Sequence, residues 1–451
     1  MRLIQFGFAL LVLLGLSACS NDDDFGGSGL QTQSFSVYLN YDDQRFNGEP
    51  VNQGEVVLTN TNTGDAYKAT SGSNGLASFE AVLPGTYNVS ASLTLDAQAF
   101  EQNFGYAPSG NEVIFNASQE NVVVNANTLS VNLTLDAARI GDLVVKQIYY
   151  AGSDTKNGAL FRDQFIEIYN NSNEVIYADG LYVAQLYGRS KTNSAAYTLP
   201  TGQFDWSQSI GMSMGIKANT DYVYADYVLQ IPGTGTDYPL QPGESFVIAQ
   251  NALNHKQPLV DNNGDPIEIG DPSLTVDLSS AEFEVYLGDF RVAIGEQPYQ
   301  WDIQNPAVQD VNLAFWGREN YFSNNKDFVL DSFGRDSFAI FRADDQDFAA
   351  YANYSDPSVV QIEDNTNFYL QIPVAQLIDG VDLQHYNPSS QRPKMLPPTV
   401  DASAISVDGI YNSQSVMRKT KTTVNGRVIL EDSNNSALDF KVMNKAIPKG
   451  F

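Results

Sequence analysis

The sequence predicts an all-β protein: a first β-sandwich followed by a larger one. Three observations predict it. Short runs of period-two alternation recur from Ser34 onward, Asn-Gly and Pro-Gly turn signals separate them, and aromatic residues, which favour strands, make up 12% of the chain. A length of 451 residues allows two or three domains.

Composition narrows the function before any motif is read. The chain has 25 Lys plus Arg against 53 Asp plus Glu, a formal net charge of -28. Phosphate backbones and anionic headgroups are bound largely through Lys and Arg, so nucleic-acid partners are excluded as an expectation. One cysteine rules out an internal disulfide framework and a zinc site built on two or more thiolates. With two histidines, any metal or acid-base chemistry would lean on carboxylates, and no cofactor is expected.

The first element is an address. Arg2 gives a positive start, the run from Leu3 through Leu16 is mostly apolar, and Leu16-Ser17-Ala18-Cys19 places small residues directly before the one cysteine. The apolar run is shorter than the roughly 20 residues of a spanning helix. The four residues fit the bacterial lipobox, so residues 1–18 are expected to be a signal peptide and Cys19 the lipid attachment point. Residues 19–32 then read as a tether, with Asp22, Asp23 and Asp24 followed by Gly26-Gly27-Ser28-Gly29. An acidic cluster behind the lipidated cysteine resembles the surface-export signal of Bacteroidota lipoproteins. The resemblance implies an outer-membrane protein held by its acyl chains and facing the cell exterior.

Residues 33–137 carry the first sandwich. Alternating runs such as Ser36-Val37-Tyr38-Leu39 and Gly85-Thr86-Tyr87-Asn88-Val89 are broken by Asn-Thr-Gly and Ser-Asn-Gly turns, and no convincing helix repeat interrupts them. The segment Gly72-Ser73-Asn74-Gly75-Leu76-Ala77-Ser78-Phe79 with Leu83-Pro84-Gly85-Thr86-Tyr87 resembles the prealbumin-like carboxypeptidase-regulatory and Cna-B-type domains. That resemblance implies a spacer or docking platform with Tyr87 packed inward. Some adhesins of this kind form Lys-to-Asn isopeptide bonds; Lys68 is the one lysine here, and such a bond is not expected.

Residues 140–446 form the second domain. Asp163-Gln164-Phe165-Ile166-Glu167-Ile168-Tyr169-Asn170-Asn171-Ser172 and Leu240-Gln241-Pro242-Gly243-Glu244-Ser245-Phe246-Val247-Ile248-Ala249 resemble the opening strands of lamin-tail-type immunoglobulin-like domains. Ser415-Val416-Met417-Arg418, with Asp432-Ser433-Asn434-Asn435-Ser436-Ala437-Leu438-Asp439-Phe440, resembles their closure, and Arg418 and Asp439 are expected to pair or to cap loop carbonyls. The poorly matched, aromatic stretch from about 251 to about 398 reads as a long insertion. The whole pattern also resembles Bacteroidota lipoproteins of the DUF4876 type, which implies a partnership with a TonB-dependent outer-membrane receptor.

Chemical motifs are sparse. Gly211-Met212-Ser213-Met214-Gly215 spells G-x-S-x-G, but a nucleophile elbow needs a strand before it and a helix after it, and a base from His255 or His385. Asp261-Asn262-Asn263-Gly264-Asp265 begins like a calcium loop, yet Pro266 and Pro272 stand where an EF-hand has Gly and Glu, so a polar turn is the better reading. In the insertion Trp316, Arg318 and Tyr321 are candidates for a contact surface, since aromatics and Arg dominate interface hot spots, against simple burial as the alternative. The expected function is a non-enzymatic surface lipoprotein, a binding accessory of a TonB-dependent transporter in nutrient or metal uptake. The alternatives are a structural subunit of an outer-membrane assembly or secretion complex and, more weakly, a surface hydrolase.

Overall fold

The computed structural model describes residues 31–42, 48–104, 112–138, 143–172, 174–187, 195–317, 327–424 and 426–451. The signal segment, Cys19, the cluster Asp22, Asp23 and Asp24, and Arg318 and Tyr321 lie outside the described residues.

The first domain contains β1 (Gln33–Tyr41), β2 (Glu55–Asn60), β3 (Ala66–Thr70), β4 (Leu76–Val82), β5 (Gly85–Asp96), β6 (Glu112–Val124) and β7 (Ser130–Ala138). They run in the order β3-β2-β5-β6-β7-β1-β4, with β1 parallel to β7 and antiparallel to β4. The sequence alternation becomes the inside and outside of this sandwich. Phe35, Val37, Leu39 and Tyr41 of β1 point into a core shared with Val56, Leu58, Phe79 and Tyr87, each worth roughly 1.5–3 kcal/mol of burial. Tyr87 is buried as expected, and its hydroxyl donates to the Leu83 carbonyl at 2.7 Å. At the Asn74-Gly75 turn Gly75 takes φ +75°, where a Cβ would stand 2.3 Å from the Leu39 carbonyl oxygen. Lys68 sits at the surface, 3.1 Å from Glu55.

One element escaped the sequence. Helix α1 (Ala97–Phe104) packs Phe100 beside Phe115 and Phe104 against Tyr41. Asp96 starts it by accepting the Ala99 N–H at 2.7 Å, and two turns are too short for a periodic apolar repeat to stand out.

The second domain begins with β8 (Leu143–Tyr149), β9 (Phe165–Asn170), β10 (Ile176–Tyr177), β11 (Tyr182–Leu186), β12 (Tyr222–Gln230), β13 (Pro239–Leu240) and β14 (Ser245–Ala249). The stretch 251–398 adds β15 (Leu259–Val260), β16 (Pro266–Ile267), β17 (Phe283–Glu284), β18 (Gln309–Asp310), β19 (Asn312–Trp316), β20 (Ser337–Phe341), β21 (Asn353–Ser355), β22 (Phe368–Pro373) and β23 (Leu377–Val381). The closing strands are β24 (Ser415–Arg418), β25 (Thr420–Val424), β26 (Arg427–Leu430) and β27 (Phe440–Met443).

Two large sheets result, ordered β18-β17-β14-β9-β8-β24-β27 and β21-β22-β12-β11-β20-β23, with β19 also pairing β12. The stretch read as an insertion therefore supplies strands to both sheets and belongs to the core. Ile148, Ile166, Ile168 and Val416 of the first sheet pack against Val183, Leu229, Ile340 and Val381 of the second. The second sheet's other face is also covered: Trp206 lies stacked on Tyr224, with centroids 3.9 Å apart, beside Phe204, Tyr369 and Leu396. Burial on both faces explains why β11 and β20 are buried along their whole length instead of alternating.

The domains meet through β6. The Asn116 side-chain amide donates to the Ser433 and Asn434 carbonyls at 2.8 and 3.2 Å, and the Glu120 N–H donates to the Pro200 carbonyl at 3.2 Å. Gly202 makes room for Glu120: a Cβ there would fall 2.1 Å from the Glu120 Cδ.

Candidate functional site

A groove of about 540 Å³ opens on the first sheet of the second domain, beneath the last residues of the chain. Its size is in the range of small-ligand and side-chain pockets. Tyr238, Phe246 and Phe283 build one wall, with Phe283 edge-on to Tyr238 at 5.0 Å and to Phe246 at 5.4 Å. The turn between β13 and β14 shapes another side. Gly243 takes φ +85° there, and the Glu244 carboxylate accepts the Gln241 N–H at 3.0 Å, so the Pro-Gly-Glu motif holds its own geometry.

At the end of the groove lies a buried ion pair. Lys146 of β8 and Glu167 of β9 meet at 2.9 Å with both side chains almost completely buried. Burial pulls the Lys146 pKa down, and the Glu167 carboxylate opposes that pull. Glu167 is further satisfied by the Ser245 hydroxyl at 2.5 Å and by the Lys449 N–H at 3.1 Å. The Phe451 ring covers the pair, 3.8 Å from the Lys146 Nζ, and stands edge-on to Tyr169 at 5.9 Å. Lys449 reaches across to pair with Glu282. Asp237 and Glu244 add negative charge to the groove; among the described residues neither makes an ion pair, and their carboxylates accept backbone N–H groups of Thr234 and Gln241.

The residues singled out in the sequence lie elsewhere. Trp316, expected as a candidate contact surface, is only 6% exposed and packs on Tyr227 with centroids 4.5 Å apart, near Phe290. It is a core residue, because β19 pairs with β12 and turns the indole into the space between the sheets. Ser213 is exposed in a loop between a 3-10 turn (Trp206–Gln208) and a single helical turn (Lys217–Thr220), and among the described residues no strand leads directly into it. His255 is buried with its Nε2 3.1 Å from the Asn251 carbonyl, and burial lowers its pKa to about 4. The His385 Nδ1 accepts the Asn387 N–H at 2.9 Å while its ring stacks between Phe333 and Tyr386. Each imidazole is thus part of its local fold. The Asp261 carboxylate is used by the Asn263 and Asp265 N–H groups and by Gln300, all at 2.9 Å, which is the hydrogen bonding of a polar turn.

Arg418 and Asp439 do come together, at 3.4 Å, inside a larger buried cluster. Asp379 of β23 is closer, at 2.5 Å, Asp432 lies at 3.1 Å, and the Val145 carbonyl accepts from Nε at 3.0 Å. Burial works against the guanidinium charge, but the three carboxylates outweigh it and hold the Arg418 pKa above its ordinary value. Sequence reasoning missed Asp379, and it missed Lys146, Glu167 and Glu282 of the groove. The available signal was a charged residue in the middle of an apolar strand, as in Leu143–Tyr149 and Phe165–Asn170.

Comparison with known proteins agrees with this architecture. The family model "Protein of unknown function (DUF4876)" matches residues 241–447. A crystal structure of a DUF4876 family protein from Bacteroides thetaiotaomicron VPI-5482 is similar over 91% of this chain and 94% of that one, at 26% identity and a TM-score of 0.51. A candidate adhesin from Bacteroides ovatus ATCC 8483 aligns over 88% of this chain and 99% of that one, at 10% identity and a TM-score of 0.18. A score that low carries no argument about fold or function. The chain matches no protein of curated function. Residues 241–447 thus match the DUF4876 family model, and the chain is similar over nearly its whole length to a solved protein of that family.

Proposed function

We propose that this protein is a non-enzymatic, lipid-anchored protein of the outer membrane that faces the cell exterior and binds a partner or ligand through its second domain. The groove beside Lys146, Tyr238 and Phe283 carries the reading: it is concave, part aromatic and part acidic, and built on the strands of the first large sheet. The lipobox ending at Cys19 and the cluster Asp22, Asp23 and Asp24 support the address. The sequence resemblance to lipoproteins that accompany TonB-dependent receptors supports an accessory role in nutrient or metal uptake, with an outer-membrane β-barrel as partner and the bilayer held through acylated Cys19.

Purification of the lipidated protein from its own membrane tests the role. Recovery with a TonB-dependent receptor is the expected result; recovery with a persistent assembly or secretion machine, or with no membrane partner, overturns it. The address has a separate test. Replacing Asp22, Asp23 and Asp24 by Ala should protect the protein from protease added to intact cells, and unchanged cleavage rules out the cluster as an export signal.

A further inference from the structure

Residues 448–451 occupy the lip of the groove in a way that describes what else would fit there. Lys449 places its ammonium on Glu282 and its backbone N–H on Glu167, and Phe451 lays its ring over Lys146 and against Tyr169. One basic and one aromatic side chain, two residues apart, thus satisfy the acidic and the cationic ends of the site together.

The tail is lightly held. The Lys449 side chain is 42% exposed and Phe451 49% exposed, so neither is sealed into the core. Lys449 also takes φ +59°, a left-handed conformation that side chains other than glycine adopt at a cost. Upstream, the Ala446 N–H donates to the Ser413 carbonyl, which anchors the segment before it reaches the groove. Residues 448–451 can therefore leave without unpairing β24 or β27. The groove also holds Asp237 and Glu244, which make no ion pair among the described residues and whose charge favours an incoming cation.

We propose that the groove accepts a peptide segment of a partner protein in which a basic residue precedes an aromatic one by two positions, and that residues 448–451 occupy this place until the partner displaces them. The inference rests on the binding role argued above and names the chemistry of the partner. The basic side chain takes over Glu282, with Asp237 and Glu244 nearby. The aromatic ring replaces Phe451 over Lys146.

The probe is a fluorescent synthetic peptide with the sequence of residues 446–451, amidated at its end, added to the full-length protein and followed by anisotropy. The variant Lys449→Ala/Phe451→Ala, with its own tail contacts removed, should bind it at least tenfold more tightly than the unsubstituted protein. Adding Glu282→Gln should weaken that binding at least fivefold, and a peptide with Glu in place of its Lys should not bind. Equal affinity of the variant and the unsubstituted protein, or indifference to Glu282→Gln, overturns the proposal. A second measurement does not depend on the variant folding: saturating peptide should speed hydrogen exchange of the Lys449 amide in the unsubstituted protein, and unchanged exchange counts against displacement. Undiminished recovery of a receptor with the Glu282→Gln protein would sink the groove as its docking place while leaving the accessory role standing.

Discussion

Arg418 of β24 and Asp379 of β23 meet at 2.5 Å in the interior of the second domain and tie its two large sheets together. Asp379 also accepts the Val145 N–H at 2.7 Å, so one carboxylate serves strands from both sheets. Removing one partner of such a pair leaves an uncompensated buried charge. Arg418→Ala should therefore destabilise the domain by about 3–5 kcal/mol, measured as a lower urea midpoint. A change under about 0.5 kcal/mol, the usual range for surface sites, would mean that the cluster is solvated.

Trp316 makes the sharpest contrast between a contact surface and a core. Trp316→Ala should cost about 3–5 kcal/mol, as for other large-to-small core changes. Equilibrium unfolding checks it, and an unchanged midpoint would return the residue to the surface.

The joint between the domains should respond to pH. Burial pushes the Glu120 pKa up to about 7, Lys394 pulls it down, and Asp382 adds to the rise. A carboxyl raised in the folded state above its ordinary 4.5 binds its proton more tightly folded than unfolded. Its contribution to stability is therefore lost as pH rises from about 4.5 through about 7. Glu120→Gln should match the unsubstituted protein at pH 4 and melt higher at pH 8. The gain should be at most about 3.5 kcal/mol at roughly 1.4 kcal/mol per pKa unit, less where water screens the group. Parallel melting curves at both pH values would contradict the assignment.

Gly202 tests the same joint by shape. Its φ of +82° strains any side chain placed there, and a Cβ would press on the Glu120 carboxyl group, which would have to shift. Gly202→Ala should cost more than about 1 kcal/mol and widen the particle in small-angle scattering. Adding Glu120→Ala should restore the compact form while leaving the backbone strain. A compact Gly202→Ala protein would show that the two domains do not depend on this contact.

Much of the architecture could be read from local signals. Alternation in β1 and the Asn74-Gly75 turn specify their own conformations, because side-chain direction and backbone sterics act within a few residues. Arg418 and Asp439 could be read as a pair because they close one short segment. The long stretch 251–398 could not be placed, since strand pairing between β20 and β11, or between β22 and β12, depends on partners far apart in the chain. Trp316 was ambiguous for the same reason: an aromatic residue suits an interface or a core, and only its neighbours decide.

By itself the sequence determined an all-β chain and its acidity, and it carried, unread, the charged residues set into apolar strands. The tertiary structure alone decided what those charges meet. Lys146, Glu167, Glu282, Lys449 and Phe451 converge because two adjacent strands, the residue leading into a third and the segment 448–451 come together at one place. Burial of a charge is tolerated only where its partner arrives with it, and that arrival depends on the fold, which no local pattern records.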